Sequence, residues 1–209
     1  MVSFGEILER LGGKLGNAPA LIHGDETIDW ATLNSRSNAL ANAFAVAGAR
    51  PGDRLAHLMR NSPAYLTTTV AGFKGRLVHV NVNYRYTGEE LHYILDNSDA
   101  AVVVFDAEFA EVLGGLRDRL PHVKLWLQVG GETAPWAQDF DAVARGDSTP
   151  VAADHQPDDM LFIHTGGTTG MPKGVMWDQS VLWQALGGGT ASIGGEPPAS
   201  LEAHLEAVL

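Results

Sequence analysis

The sequence predicts an α/β fold, a parallel sheet with helices on both faces. Three observations predict it. Short apolar runs at 55–59, 77–82, 101–105 and 123–129 have the length and composition of buried strands. Helix-patterned segments with their own start signals stand between those runs, giving a β-α-β-α alternation. The composition, 45% apolar and 19% charged over 209 residues, is that of a globular chain long enough to bury a core.

Each element follows from local chemistry. Phe4, Ile7, Leu8 and Leu11 recur at helical spacing, and Gly12-Gly13 is expected to stop that helix. Residues 20–30 read as a hairpin turning at Gly24-Asp25-Glu26. Asp29 is placed to cap a helix whose apolar face is Leu33, Leu40, Ala41 and Phe44, closed by Gly48. Asn61-Ser62-Pro63 opens a helix running to Lys74. Thr87 and Glu90 form a capping box for a helix carrying Leu91, Ile94 and Leu95. Residues 107–119 read as helix, and one helix is expected within 136–145. Residues 160–164 read as a buried strand, 175–177 resume the apolar pattern, and 179–186 read as helix. Gly187–Gly189, Gly194-Gly195 and Pro197-Pro198 predict irregular chain after that.

Charge and composition exclude several functions. The net charge is −11, and residues 101–209 hold 15 acidic against 5 basic side chains. Such a chain repels phosphate backbones, so no nucleic-acid partner is expected. No apolar run approaches the ~18 residues of a membrane span, so no integral membrane contact is expected. The N-terminus lacks the pattern of a secretory or transit signal. The absence of cysteine removes thiolate nucleophiles, disulfides and Cys-ligated zinc, and fits a cytoplasmic location. His57, His79 and His92 lack metal-ligand spacing and read as structural, so no protein metal site is assigned. Trp126, Trp136, Trp177 and Trp183 read as packing residues.

One segment carries chemistry. The strand at 160–164 runs into Thr165-Gly166-Gly167-Thr168-Thr169-Gly170-Met171-Pro172-Lys173-Gly174. Glycines let backbone N–H groups approach an anion, and successive inward amides form an anion nest. Threonine hydroxyls add donors, and the lysine adds a point charge suited to phosphate. The alternative at this level is an unliganded surface loop. It is not the common NTPase loop, because Pro172 before Lys173 disfavours a helix start there.

The segment from Phe162 to Val175 resembles the signature of the adenylate-forming enzymes, Thr-Ser-Gly-Thr-Thr-Gly-x-Pro-Lys-Gly. Upstream, Asp29-Trp30-Ala31-Thr32-Leu33-Asn34, Pro51-Gly52-Asp53-Arg54-Leu55-Ala56, Asn83-Tyr84-Arg85-Tyr86-Thr87-Gly88-Glu89-Glu90-Leu91 and Asn97-Ser98-Asp99-Ala100 are similar to further family segments. The resemblance covers roughly 18–185 and is nearest in flavour to acyl-CoA synthetases for fatty or related carboxylic acids.

The resemblance implies ATP, Mg2+ and CoA as cofactors and a carboxylic acid as substrate. It implies ATP-dependent activation of that acid through an acyl-adenylate to a CoA thioester. Thr165, Gly166, Gly167, Thr168, Thr169, Gly170 and Lys173 are then the phosphate-binding set, with Lys173 catalytic. Gly166 stands where the family usually has serine. Arg76, at the mouth of the 77–82 strand, also departs from the family pattern.

The family's adenine, ribose and catalytic-lysine motifs lie downstream of the loop, and none occurs in these 209 residues. The chain is therefore expected to be an incomplete part of the family's large N-terminal domain. It divides into an α/β subdomain at 18–129, a connecting segment at 130–158, the strand and phosphate loop at 159–186, and an irregular truncated end at 187–209. The alternatives are a non-catalytic remnant or binding fragment, or half of a split enzyme that needs a complementing chain or self-association.

Overall fold

Among the described residues, seven strands form one sheet in the order β7-β6-β5-β3-β4-β8-β9. They are β3 (Arg54–Leu58), β4 (Val78–Asn81), β5 (Ala100–Asp106), β6 (Leu125–Val129), β7 (Gln138–Asp139), β8 (Met160–Thr165) and β9 (Lys173–Asp178). All neighbours are parallel except β8 and β9, which pair antiparallel. A separate hairpin joins β1 (Pro19–His23) to β2 (Glu26–Asp29). The structure is a computed structural model and describes residues 3–151, 154, 156, 158–165, 173–185 and 200–208.

Side-chain alternation along the strands builds two cores. Leu55, Leu77, Val102, Val104 and Leu127 pack under α2 (Trp30–Val46), α3 (Pro63–Lys74) and α6 (Phe140–Ala144). Ala56, Leu58, Val80, Val103 and Phe105 face the other way, against α4 (Gly88–Asn97) and α5 (Ala110–Leu116). Burial on both faces is why the central strands read as unbroken apolar runs. The predicted helix starts hold: Asp29 Oδ1 accepts the Thr32 N–H at 2.7 Å, Ser62 Oγ accepts the Tyr65 N–H at 3.2 Å, and Glu90 Oε2 accepts the Thr87 N–H at 2.8 Å. Among the described residues no helix is long and apolar enough to cross a membrane.

The structure differs from the sequence reading in four places. Helix α1 (Phe4–Leu15) runs through Gly12 and Gly13 and ends at Gly16, in left-handed conformation at φ +49°. Gly12 serves close packing there, since a Cβ would lie 2.5 Å from Asn34 Cγ on α2. Residues 107–119 are helical in three pieces, with 3-10 turns on either side of α5. The 130–158 stretch contributes to the domain itself, because β7 extends the sheet and Phe140 and Ala144 are buried. The end expected to be irregular contains α8 (Leu201–Val208), whose Leu205 is buried against Ile7 and Leu11.

Polar groups also enter the interior. Lys74, at the end of α3, is only 2% exposed and lies 2.7 Å from Glu9 Oε2 on α1. Its ammonium donates to Asn38 Oδ1 at 2.9 Å, to the Asn34 carbonyl at 3.3 Å and to Asn34 Oδ1. Burial pulls the Lys74 pKa below its ordinary value, and Glu9 opposes that shift. Three helices thus meet on one cation. Breaking a buried pair leaves an uncompensated charge. Glu9→Ala should cost about 3 kcal/mol in denaturant unfolding. The surface pair Arg60–Glu108 lies in high dielectric, and Arg60→Ala should cost under about 1 kcal/mol in the same measurement.

His57, fully buried on β3, has its ring 4.3 Å from that of His79 and 5.0 Å from that of Tyr65. Among the described residues neither ring nitrogen of His57 has a hydrogen-bond partner. Burial holds the His57 imidazole well below its ordinary 6.5, and the charge of His79 adds to the effect. As pH falls through about 6.5, the unfolded chain binds a proton that the folded chain refuses, so stability falls with falling pH. His57→Phe should flatten that acid limb by up to about 1.4 kcal/mol per pH unit, read from urea midpoints at pH 7, 6 and 5.

Candidate functional site

The five central parallel strands β3, β4, β5, β6 and β8 end at one edge of the sheet. In open α/β sheets ligands bind outside these carboxyl ends. The segment with phosphate-binding chemistry begins there. β8 ends at Thr165 and β9 starts at Lys173, and these two residues are register partners. The next pairs along the hairpin are His164 with Gly174 and Ile163 with Val175. Both ends of the Gly/Thr segment therefore meet at the top of a two-stranded ladder. Gly166, Gly167, Thr168, Thr169 and Gly170 lie outside the described residues. Lys173 begins a strand, in keeping with the proline before it.

The far end of the hairpin is fixed by contacts that the sequence reading did not find. Arg76 adopts a left-handed backbone, φ 56°, in the turn between α3 and β4. Its Nε donates to both Asp159 oxygens, at 2.9 and 3.2 Å. Asp159 is nearly buried, so this pair ties the start of β8 to the start of β4. The Asp159 carbonyl accepts the Gln179 N–H at 2.8 Å, and Gln179 Oε1 accepts the Phe4 N–H at 3.0 Å. That chain of contacts reaches from α7 (Gln179–Ala185) to α1. The departure at position 76 is thus structural, an ion pair with Asp159. The only sequence signal was an unpaired arginine at the mouth of an apolar strand.

β8 is less buried than expected. Its Leu161 and Phe162 are half-buried and Met160 is exposed. Val80 of β4 pairs with Phe162, which sets β8 against β4. Continuing that register puts Val82 level with His164. A crevice of about 240 Å3 opens beside this point, lined by Met59, Asn61, Tyr65, Asn81, Asn83 and Tyr84. The Tyr65 hydroxyl is 3.1 Å from His79 Nε2, and burial pushes its pKa up to about 12, so it remains a neutral hydrogen-bonding group. The guanidiniums of Arg60 and Arg85 lie 4.7 and 5.4 Å from the Tyr84 ring centroid, at the crevice mouth. The asparagines at these strand ends were the available signal for the crevice. Among the described residues no group of three or more His, Asp or Glu is placed to hold a metal ion.

Known proteins are similar to this chain in sequence and fold. Residues 8–194 match the family of AMP-binding enzymes. The 3-oxocholest-4-en-26-oate–CoA ligase of Rhodococcus rhodochrous is 35% identical over 186 residues, covering 85% of this chain and 33% of the ligase. The medium-chain acyl-CoA ligase Mig of Mycobacterium avium is 33% identical, over 87% of this chain and 36% of its own. The chain spans about a third of the length of these curated relatives. Among solved structures, an anthranilate CoA ligase in complex with anthranoyl-AMP superposes with a TM-score of 0.81 at 25% identity, over 88% of this chain and 36% of that one. The inhibitor-bound N-terminal domain of FACL13 from Mycobacterium tuberculosis gives 0.78 at 27% identity, over 92% of this chain and 49% of that domain. Fold and sequence match agree: the chain belongs to the AMP-binding enzyme family.

Proposed function

We propose that this chain supplies the phosphate-binding part of an ATP-dependent acyl-CoA ligase acting on a fatty or related carboxylic acid. The observation that carries the proposal is the register pair Thr165 and Lys173 at the carboxyl edge of the sheet. It brings a hydroxyl residue and a cationic residue together at the two ends of a Gly/Thr loop. That donor set fits a triphosphate: amides and hydroxyls for the oxygens, an ammonium for the charge.

In the reaction proposed, the substrate carboxylate attacks the α-phosphorus of ATP and pyrophosphate leaves. A thiol, that of CoA, then attacks the acyl carbon and releases AMP. Thr165, Gly166, Gly167, Thr168, Thr169, Gly170 and Lys173 hold the β- and γ-phosphates, so pyrophosphate is oriented and its growing charge is stabilised as it departs. Mg2+ accompanies ATP as part of the substrate. A second reading is favoured by the chain's share of its relatives' length, about a third. In it, these residues bind the phosphates without completing adenylation by themselves.

Titration calorimetry with ATP tests the site. A charged hydrogen-bonding partner is worth about 1.5–3 kcal/mol, so Lys173→Ala should weaken ATP binding by roughly 10- to 100-fold. Equal affinity would overturn the assignment. Gly166→Ser restores a hydroxyl donor and should tighten ATP binding by about 2- to 10-fold. Carboxylate-dependent ATP–pyrophosphate exchange separates the two readings. Exchange from the 209-residue chain, lost in Lys173→Ala, supports complete adenylation, and ATP binding without exchange supports the second reading.

A further inference from the structure

Basic side chains are scarce in this chain and mostly committed. There are 14 against 25 acidic ones. Seven of them take part in the ion pairs of the described residues. Arg85 and Arg117 lie over the rings of Tyr84 and Trp136. Arg36 on α2 and Arg145 at the end of α6 belong to neither group. The reason at Arg36 is local. Thr32, Leu33, Ala39 and Leu40 hold the helix positions three and four away, and none is acidic. Arg145 has Asp141 four residues before it, yet no ion pair joins the two among the described residues. Arg36 and Arg145 line one open hollow of about 460 Å3, together with Ala31, Thr32, Ser35 and Ala144. No acidic residue is among these six. The walls are fixed from both sides. Asp139 Oδ1 accepts the Ala142 N–H at 2.7 Å at the start of α6, and Phe140 and Ala144 are buried under α2. Asn42 of α2 donates to the Asp147 and Thr149 carbonyls, each at 2.9 Å, which holds the chain just beyond Arg145. Asp29, the acid nearest in sequence to Arg36, is committed to the first turn of α2 through the Thr32 N–H.

Two guanidiniums on separate elements, without carboxylates and facing one hollow, make a receptor for an oxyanion. We propose that the hollow between α2 and α6 binds a phosphate monoester, with Arg36 and Arg145 holding its phosphate and the Ser35 hydroxyl adding a donor. The planar guanidinium fork matches phosphate oxygens two at a time. Two cations suit a dianion better than the single charge of a carboxylate. The hollow has the size of a small-molecule site, so a bare phosphate leaves room in it for an organic group beside Ala31. It shares no lining residue with the crevice beside β4 and none with the Gly/Thr loop. Binding here is therefore separate from the ATP site proposed above and does not depend on it.

The probe is phenyl phosphate, titrated calorimetrically into the 209-residue chain at about pH 8, above the second phosphate pKa of about 6. The expected result is binding that Arg36→Gln and Arg145→Gln each weaken at least tenfold and that Lys173→Ala leaves unchanged. Ser35→Glu sets a carboxylate beside the two arginines and should weaken binding at least tenfold. That position is exposed, so the circular dichroism of the chain should not change. Arginine modification by phenylglyoxal, read by peptide mass spectrometry, gives a local check. Saturating phenyl phosphate should slow modification of Arg36 and Arg145 at least tenfold and leave that of the exposed Arg50 unchanged. The absence of binding overturns the site, as does binding that all three hollow variants leave intact, or equal slowing at Arg50. Binding lost in Lys173→Ala and kept in Arg36→Gln puts the phosphate in the Gly/Thr loop and overturns it too. Inorganic phosphate binding as tightly as phenyl phosphate overturns the choice of a monoester. An ATP affinity that ignores Lys173 would defeat the phosphate-loop assignment and leave this site standing.

Discussion

The placing of Thr165 and Lys173, the two ends of the Gly/Thr segment, depends on the seating of β8 beside β4. Strand pairing contributes to that seating through Val80 and Phe162. The Arg76–Asp159 ion pair supplies the rest at the opposite end, joining residues 83 positions apart. It is a costly device in two respects. A non-glycine residue is held in the left-handed region, and a carboxylate is nearly removed from water. Both costs are offset by the directional pairing of guanidinium with carboxylate. The outcome is a hairpin fixed at its base, with Thr165 and Lys173 paired in register at its other end.

The same logic operates between helices. Lys74 follows the apolar face of α3 into the interior and ends among Glu9, Asn34 and Asn38. Beside it, Gly12 lets α1 approach α2 closely enough for Asn34 to serve both helices. A methyl group at position 12 would push Asn34 away from the cation. The α1–α2–α3 layer is therefore specified by polar geometry as much as by apolar burial, and it forms the platform behind β3 and β4.

The central sheet was legible in the sequence because its signals are local. Thr87 with Glu90, Ser62 with Pro63, and Asp29 each announce a helix start within four residues, and doubly buried strands announce themselves as apolar runs. The Gly/Thr segment stands out as a candidate for the same reason, its residue types being contiguous. What was missed depends on distance. Gly12 reads as a stop until Asn34 is seen against it. Arg76 reads as a misplaced charge until Asp159 arrives from another part of the chain. Trp177 reads as a packing residue by type, yet is 38% exposed on β9 at the edge of the sheet.

The strand order has a consequence for how the chain acquires its shape during synthesis. The central strand β3 needs only β4 and β5 as neighbours, and both follow within the next 50 residues or so. A ribosome delivers roughly 5–20 residues per second, so the middle of the sheet is available for seconds before residue 160 emerges. During that interval the outer edge of β4 has no strand beside it, and Arg76 has no carboxylate. The β8–β9 side is thus the last part of the sheet to be made. A nascent chain stalled between Ala144 and Met160 would present a nearly finished core with an open flank, the form on which a chaperone, or another nascent chain, would act first.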